Sequence, residues 1–181
     1  MSVSGAEPEF VEFVECRSAA LLRTAYLLCG GDRSAAEDLL QDTLERCYPR
    51  WRRINGAPEP YVRAALANAA ANRWRWRARR GVELSLDGIP PSRVDAPDQA
   101  VVDRDQLVRA LATLPARMRA VLVLRYFDDL SEAQTAAALE CTVGTVKSQA
   151  FKGLAKLREL LGEQERVASV LEESRSWTLR S

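Results

Sequence analysis

The residues with the most evident chemistry stand in one short run, Asn72-Arg73-Trp74-Arg75-Trp76-Arg77. A guanidinium holds phosphate, and an indole offers a flat face on which an unstacked base can lie. Alternation of the two carries residues around the whole of a helix, so some aromatic surface must sit beside the basic surface. That combination suits a single or melted strand better than an intact duplex. The run ends a longer basic stretch: between positions 46 and 80, ten arginines stand against Glu59 alone. The segment before it, 8–45, is the reverse, with eight carboxylates against three arginines. A formal net charge of +1 conceals this division, which points to a polyanion as one partner and something basic as another. Taken alone, residues 73–80 read equally as an exposed basic helix end whose arginines offset the helix dipole while the tryptophans pack inward. The carboxylates, too, can simply be solvated charge.

Other chemistries find no residues to carry them. The chain has no histidine, and its four cysteines, Cys16, Cys29, Cys47 and Cys141, stand far apart without a C-x-x-C spacing. Neither a zinc site nor a disulfide framework is expected, and the thiols read as reduced, small core residues. No phosphate-binding, dinucleotide-binding or nucleophile-elbow glycine pattern is present. The expectation is therefore a protein that is not an enzyme, without metal or cofactor. At 47% hydrophobic and 28% charged residues the composition is that of a globular chain. The longest apolar runs, such as 120–124, fall far short of the roughly 20 residues that cross a bilayer. The acidic start, Glu7, Glu9 and Glu12, lacks the order of a signal peptide. A cytoplasmic protein that does not engage a membrane is expected.

The elements that must position these residues are helices. Phe10, Phe13 and Val14, then Leu21, Leu22, Ala25 and Tyr26, repeat at three and four, and strand-like alternation is hard to find. The 181 residues suffice for one medium core or two small ones. The pattern predicts an all-α fold of two small helical domains, 8–80 and 101–165, joined by a flexible linker over 81–100 that is rich in proline and aspartate. Gly30-Gly31 should close the first helix. Ser34 reads as the cap of the next, with Glu37 as its capping-box partner and Ala36, Leu40, Leu44 and Cys47 on one face. Pro49 should end or kink that helix before Trp51. A turn over 55–60 precedes a helix from Tyr61 that stops near Gly81.

Leu107, Leu111, Leu114, Met118, Val121, Leu122 and Leu124 predict one or two further helices ending near Asp128-Asp129. The next stretch is the most specific in the chain. Ser131 and Gln134 form a capping box opening a short helix through Leu139, Glu140-Cys141 makes a tight turn, and Thr142 caps a longer helix that turns Val143, Val146, Ala150, Leu154, Leu157 and Leu161 inward. Small Ala136, the turn at Glu140 and apolar Val146 have the spacing of a helix-turn-helix. Thr145, Lys147, Ser148, Gln149, Phe151 and Lys152 are then left near the outer face, the part that enters a major groove. A solvated face on an ordinary helical hairpin is the competing reading. Glycine would also suit the turn at Glu140 better.

Glu37-Asp38-Leu39-Leu40-Gln41-Asp42-Thr43-Leu44 followed by Trp51 resembles the polymerase-binding helix of the extracytoplasmic-function sigma factors of bacterial RNA polymerase. Leu130-Ser131 through Cys141-Thr142-Val143-Gly144-Thr145-Val146-Lys147-Ser148 is similar to their C-terminal helix-turn-helix. The two motifs lie in that family's order, about 90 residues apart, and the resemblance spans roughly residues 8–165. It implies that Asp38, Leu39, Gln41, Asp42 and Glu45 meet the clamp helices of the largest subunit of core polymerase. It implies further that Asn55, Arg63, Asn68, Asn72, Arg73 and Arg75 read and hold open the promoter −10 element. Thr145, Lys147, Ser148, Phe151 and Lys152 would meet the −35 element while the C-terminal domain rests on the flap of the second-largest subunit. The resemblance also admits an anti-sigma factor as a partner. Lys147 and Lys152 stand where many relatives carry arginine, so phosphate or single-point contacts replace bidentate guanine readout. Residues 166–181 lie outside the match and carry no assigned role. The rival from the residues themselves is a helix-turn-helix repressor or activator on duplex DNA, independent of sigma activity.

Overall fold

The structure, a computed structural model, describes residues 8–54, 56–79 and 99–161, apart from the side chains of 74–79 and 99–104. Every regular element among the described residues is helical. Helix α1 (Pro8–Leu28) ends in the double hydrogen bond of a Schellman motif. The Gly31 N–H reaches the Tyr26 carbonyl at 3.0 Å and the Gly30 N–H the Leu27 carbonyl at 3.1 Å. Both glycines have positive φ, +67° and +90°, which side chains resist.

Helix α2 (Arg33–Cys47) starts two residues earlier than the capping-box pattern predicts, and Ser34 is not its cap. The Asp32 carboxylate accepts from the Ala35 N–H at 2.9 Å, and a carboxylate also suits the positive end of the helix dipole. Glu37, the expected partner of Ser34, instead accepts from Arg33 Nε at 2.9 Å. After Cys47 the chain tightens into a 3-10 turn, Tyr48–Arg53, with Pro49 near its start. This turn swings Trp51 into the core, its ring 4.9 Å from those of Phe10 and Phe13.

Helix α3 (Pro58–Arg79) begins within the expected turn. Pro58 and Pro60 fit its first turn because N–H groups there have no intrahelical acceptor. The second half of the chain contributes α4 (Gln99–Thr113), α5 (Ala116–Leu122), a π-helical turn (Val123–Phe127), α6 (Glu132–Ala138) and α7 (Val143–Leu161). The expected linker meets α4 at Gln99. Residues 80–98 and 162–181, including the tail expected over 166–181, lie outside the described residues. Among the described residues no helix is long and apolar enough to cross a membrane.

The two halves share one core. Helix α3 packs on α1 and α2 with one side and on α5 and α6 with another, and Leu21, Leu39, Leu66, Leu111, Leu122 and Val146 belong to one continuous buried cluster. The turn between α1 and α2 lies directly against α4 and α5: a Cβ on Gly31 would come within 2.6 Å of Val108 Cγ1, and one on Gly30 within 3.1 Å of the Ala112 Cβ. Within the second half, Gly153 lets α7 approach α5, since a Cβ there would lie 2.9 Å from Leu122 Cδ1 and from Met118 Cγ. Of the cysteines, all free thiols, Cys47 is a core residue whose burial pushes its thiol up. Cys16 is exposed, contrary to the expectation of four core thiols.

Candidate nucleic-acid interface

The helix-turn-helix forms as its sequence dictates. The Ser131 hydroxyl accepts from the Gln134 N–H at 3.1 Å while the Gln134 carboxamide accepts from the Ser131 N–H at 2.8 Å, completing the capping box. Glu140 takes positive φ, +50°, in a Schellman turn closed by Cys141 N–H to the Ala136 carbonyl at 3.0 Å and Glu140 N–H to the Ala137 carbonyl at 3.3 Å. A non-glycine residue is tolerated there because the turn secures two carbonyls at the end of α6. Thr142 Oγ1 accepts from the Thr145 N–H at 3.1 Å and so opens α7. Ala136 and Val146 are buried where α6 and α7 cross.

With that face inside, Lys147, Ser148, Phe151 and Lys152 project outward from the first half of α7, and Thr145 is half-buried beside its cap. Phe151 is 75% exposed. An aromatic ring left in water between two lysines and a serine offers an apolar contact flanked by positive charge. Lys147 Nζ lies 3.6 Å from Glu132 Oε2 at the start of α6. Val143, expected to point inward, is 40% exposed because it occupies the first position of α7, ahead of the turn that enters the core.

On α2, Glu37, Asp38, Gln41, Asp42 and Glu45 are all exposed, and Gln41 Nε2 donates to Glu45 Oε1 at 3.0 Å. The acidic stripe is therefore a surface. Leu39 is not part of it: at 2% exposure it points into the core, one position round the helix from Asp38, and its contribution is to seat the stripe. Behind α2 a cleft of about 330 Å³ runs along α3, lined by Asp42, Arg46, Asn72 and Arg73. Arg73 bridges the two helices, donating to the Ala35 carbonyl at 3.4 Å and lying 3.8 Å from the Asp38 carboxylate.

The residues expected to read the −10 element are divided. Asn72 is exposed and Arg73 half-buried. Asn55 lies outside the described residues, and so does the side chain of Arg75. Arg63, expected at the surface, is only 9% exposed. Its Nη2 donates to Glu59 Oε1 at 2.7 Å, its Nη1 to Thr24 Oγ1 at 2.7 Å, and Nη1 also pairs with the Asp128 carboxylate. Asn68 Nδ2 donates to the Ala138 carbonyl at the end of α6. The second half of the chain buries Arg63 and leaves Asn68 half-buried against the end of α6.

The Asp128 network is the feature of this region that sequence reasoning missed. The Asp128 side chain is 1% exposed, accepts from Thr24 Oγ1 at 2.8 Å, and has its second oxygen without a hydrogen-bond partner among the described residues. Burial pushes this carboxyl up to about 6, against the opposing pull of Arg63 and the Thr24 hydroxyl. Arg17 extends the network outward, 3.3 Å from Glu59. Arg119, 1% exposed, lies under the Gly30 turn, and burial lowers its guanidinium to about 10, which leaves it charged at neutral pH. No local pattern could expose these pairings: Arg63 and Asp128 are 65 residues apart and Thr24 and Asp128 are 104.

Comparison with known proteins agrees with this geometry. Residues 104–157 match the family model described as sigma-70, region 4. The RNA polymerase sigma-E factor of Streptomyces coelicolor is 39% identical over 166 residues, covering 91% of this chain and 92% of the relative. The ECF RNA polymerase sigma factor SigL of Mycobacterium tuberculosis is 34% identical, covering 88% and 93%. Among solved structures, the sigma factor RpoE of Bartonella quintana, crystallised with the anti-sigma factor NepR, superposes with a TM-score of 0.69 at 26% identity, covering 87% of this chain and 99% of that one. A helix-turn-helix of this geometry, set behind an acidic helix in a chain so nearly spanned by such relatives, places the protein among the extracytoplasmic-function sigma factors, which direct RNA polymerase to initiate at promoters.

Proposed function

We propose that the three surfaces divide the work of initiation. The carboxylate stripe of α2, Asp38, Gln41, Asp42 and Glu45, docks on the basic clamp helices of the largest polymerase subunit. Asn68, Asn72, Arg73 and, once accessible, Arg63 act with Asn55 and Arg75 to capture and hold open the −10 element. The outer face of α7, Thr145, Lys147, Ser148, Phe151 and Lys152, meets the −35 element while its domain rests on the flap of the second-largest subunit. The chain forms no covalent bond itself: docking positions the DNA-reading helices, and contacts at two promoter elements set the register. The factor works in the cytoplasm beside its template, and an anti-sigma factor belongs to the same reading.

The observation that carries this proposal is the outward presentation of Lys147, Ser148, Phe151 and Lys152 on a helix that buries Val146, Ala150, Gly153 and Leu157 on its other side. The test is promoter-directed RNA synthesis by bacterial core polymerase on a pool of genomic fragments, with and without the protein. New, discrete transcripts are expected. Duplex binding without new transcripts would instead identify a helix-turn-helix regulator.

A further inference from the structure

We infer that Glu132, at the start of α6, determines the specificity of the −35 contact by holding Lys147 off the phosphates and leaving it for a base edge. The inference rests on the assignment of the outer face of α7 to the −35 element. Lys147 Nζ lies 3.6 Å from Glu132 Oε2, with the side chains 64% and 38% exposed. An ammonium of the recognition helix thus shares its outward face with a carboxylate from the helix before it. The pair does little for the fold. An ion pair this exposed adds little to stability, its length is beyond that of a hydrogen bond, and the first turn of α6 is already closed by the Ser131–Gln134 capping box. Nor does the carboxylate serve raw affinity. In a helix-turn-helix the second helix enters the major groove while the first crosses the phosphate backbone, so Glu132 brings negative charge to a polyanion.

What the pair supplies is discrimination. A lysine is a compact charge on a flexible stem, and it reaches a phosphate as readily as a guanine O6 or N7. Seating Nζ on a phosphate sets two anions, the phosphate and the Glu132 carboxylate, against each other across one cation. A guanine edge carries no net charge and meets no such repulsion. Glu132 therefore penalises the contact that every sequence offers and spares the contact that only certain sequences offer, which is how a repulsive group raises specificity. It acts through Lys147, as a positioning residue.

Glu132→Gln removes the charge while keeping the length of the side chain and the capping box beside it. A random-sequence duplex pool would be enriched on the full chain, with and without core polymerase. Binding to the enriched element and to each of its single-base variants would then be measured over a range of salt. Wild type, Glu132→Gln, Lys147→Ala and the double variant would be compared, with circular dichroism to confirm equal helix content. Glu132→Gln should bind the single-base variants about two- to fivefold tighter and lose discrimination by the same factor at one base position. Its dependence of log K on log salt should steepen by about 0.9, the signature of one added phosphate contact. None of these changes should appear where Lys147 is already alanine. Unchanged preference and salt dependence in Glu132→Gln overturn the inference, as do changes that persist undiminished beside Lys147→Ala. In both cases weaker binding by Lys147→Ala leaves the −35 assignment standing. If no duplex is enriched, or if Lys147→Ala binds as wild type does, the assignment of α7 itself falls and the role of Glu132 falls with it.

Discussion

At the scale of single residues, Asp128 and Lys147 make the clearest claims. A carboxyl that titrates near 6 in the folded chain and at an ordinary acidic value when unfolded binds its proton more tightly in the folded state. Its contribution to stability is complete below the unfolded value and is lost as pH rises through about 6. Urea denaturation should therefore show the wild type gaining on the order of 1–3 kcal/mol between pH 7 and pH 5 relative to Asp128→Asn. A pH-independent difference between the two would contradict the burial argument. Lys147 is solvent-facing, so Lys147→Ala should leave stability nearly unchanged. It should cost −35 binding about 1–3 kcal/mol at one base position if the lysine reads a base, or weaken all sequences alike if it touches phosphate. A panel of single-base promoter variants decides which.

Elements are governed by what each helix buries. Helix α7 crosses α5 only because residue 153 has no side chain. Gly153→Ala would improve helix propensity by about 1 kcal/mol, but overpacking against Leu122 and Met118 costs about 1–3 kcal/mol. A net loss of stability is expected, and a rise in thermal midpoint would show that α5 moves aside readily. Helix α2 is the opposite case, since its acidic face touches nothing that holds the fold apart from the long Arg73–Asp38 pair. Asp38→Ala with Asp42→Ala should leave the unfolding midpoint within about 0.5 kcal/mol of wild type while reducing affinity for core polymerase at low salt, measurable by fluorescence anisotropy. Unchanged affinity would remove the stripe from the docking surface. The capping boxes show why local reading works unevenly at this scale. Ser131 and Gln134 met their expected partners, whereas Ser34 lost its place to Asp32, because two cap residues two positions apart compete and local pattern alone does not rank them.

For the whole molecule, the continuous core through α3 makes a thermodynamic prediction. Two independent domains on a linker would unfold in separate steps, but halves joined by buried glycine contacts and a buried ion pair unfold together. Denaturation followed by far-UV circular dichroism and by energy transfer between dyes on α1 and α7 should give coincident single transitions. In Ala112→Glu the energy-transfer signal should be lost at lower urea than helix content. Separate transitions in the wild type would mean that the interface contributes little to stability.

The sequence by itself determined the all-α class, the positions of most helices, the helix-turn-helix with its caps, and the faces of α2 and α7 that reach solvent. These follow from periodicity and from interactions spanning three or four residues, which a linear reading contains in full. Only the tertiary structure decided that Leu39 seats the acidic stripe without belonging to it, that Arg63 is buried and Asn68 is bonded to the end of α6, and that Asp128 and Gly31 are interface residues. Those outcomes depend on which surfaces meet across tens of residues of chain. The same arginine is a surface charge or a buried cation according to whether a carboxylate from the other half is brought beside it.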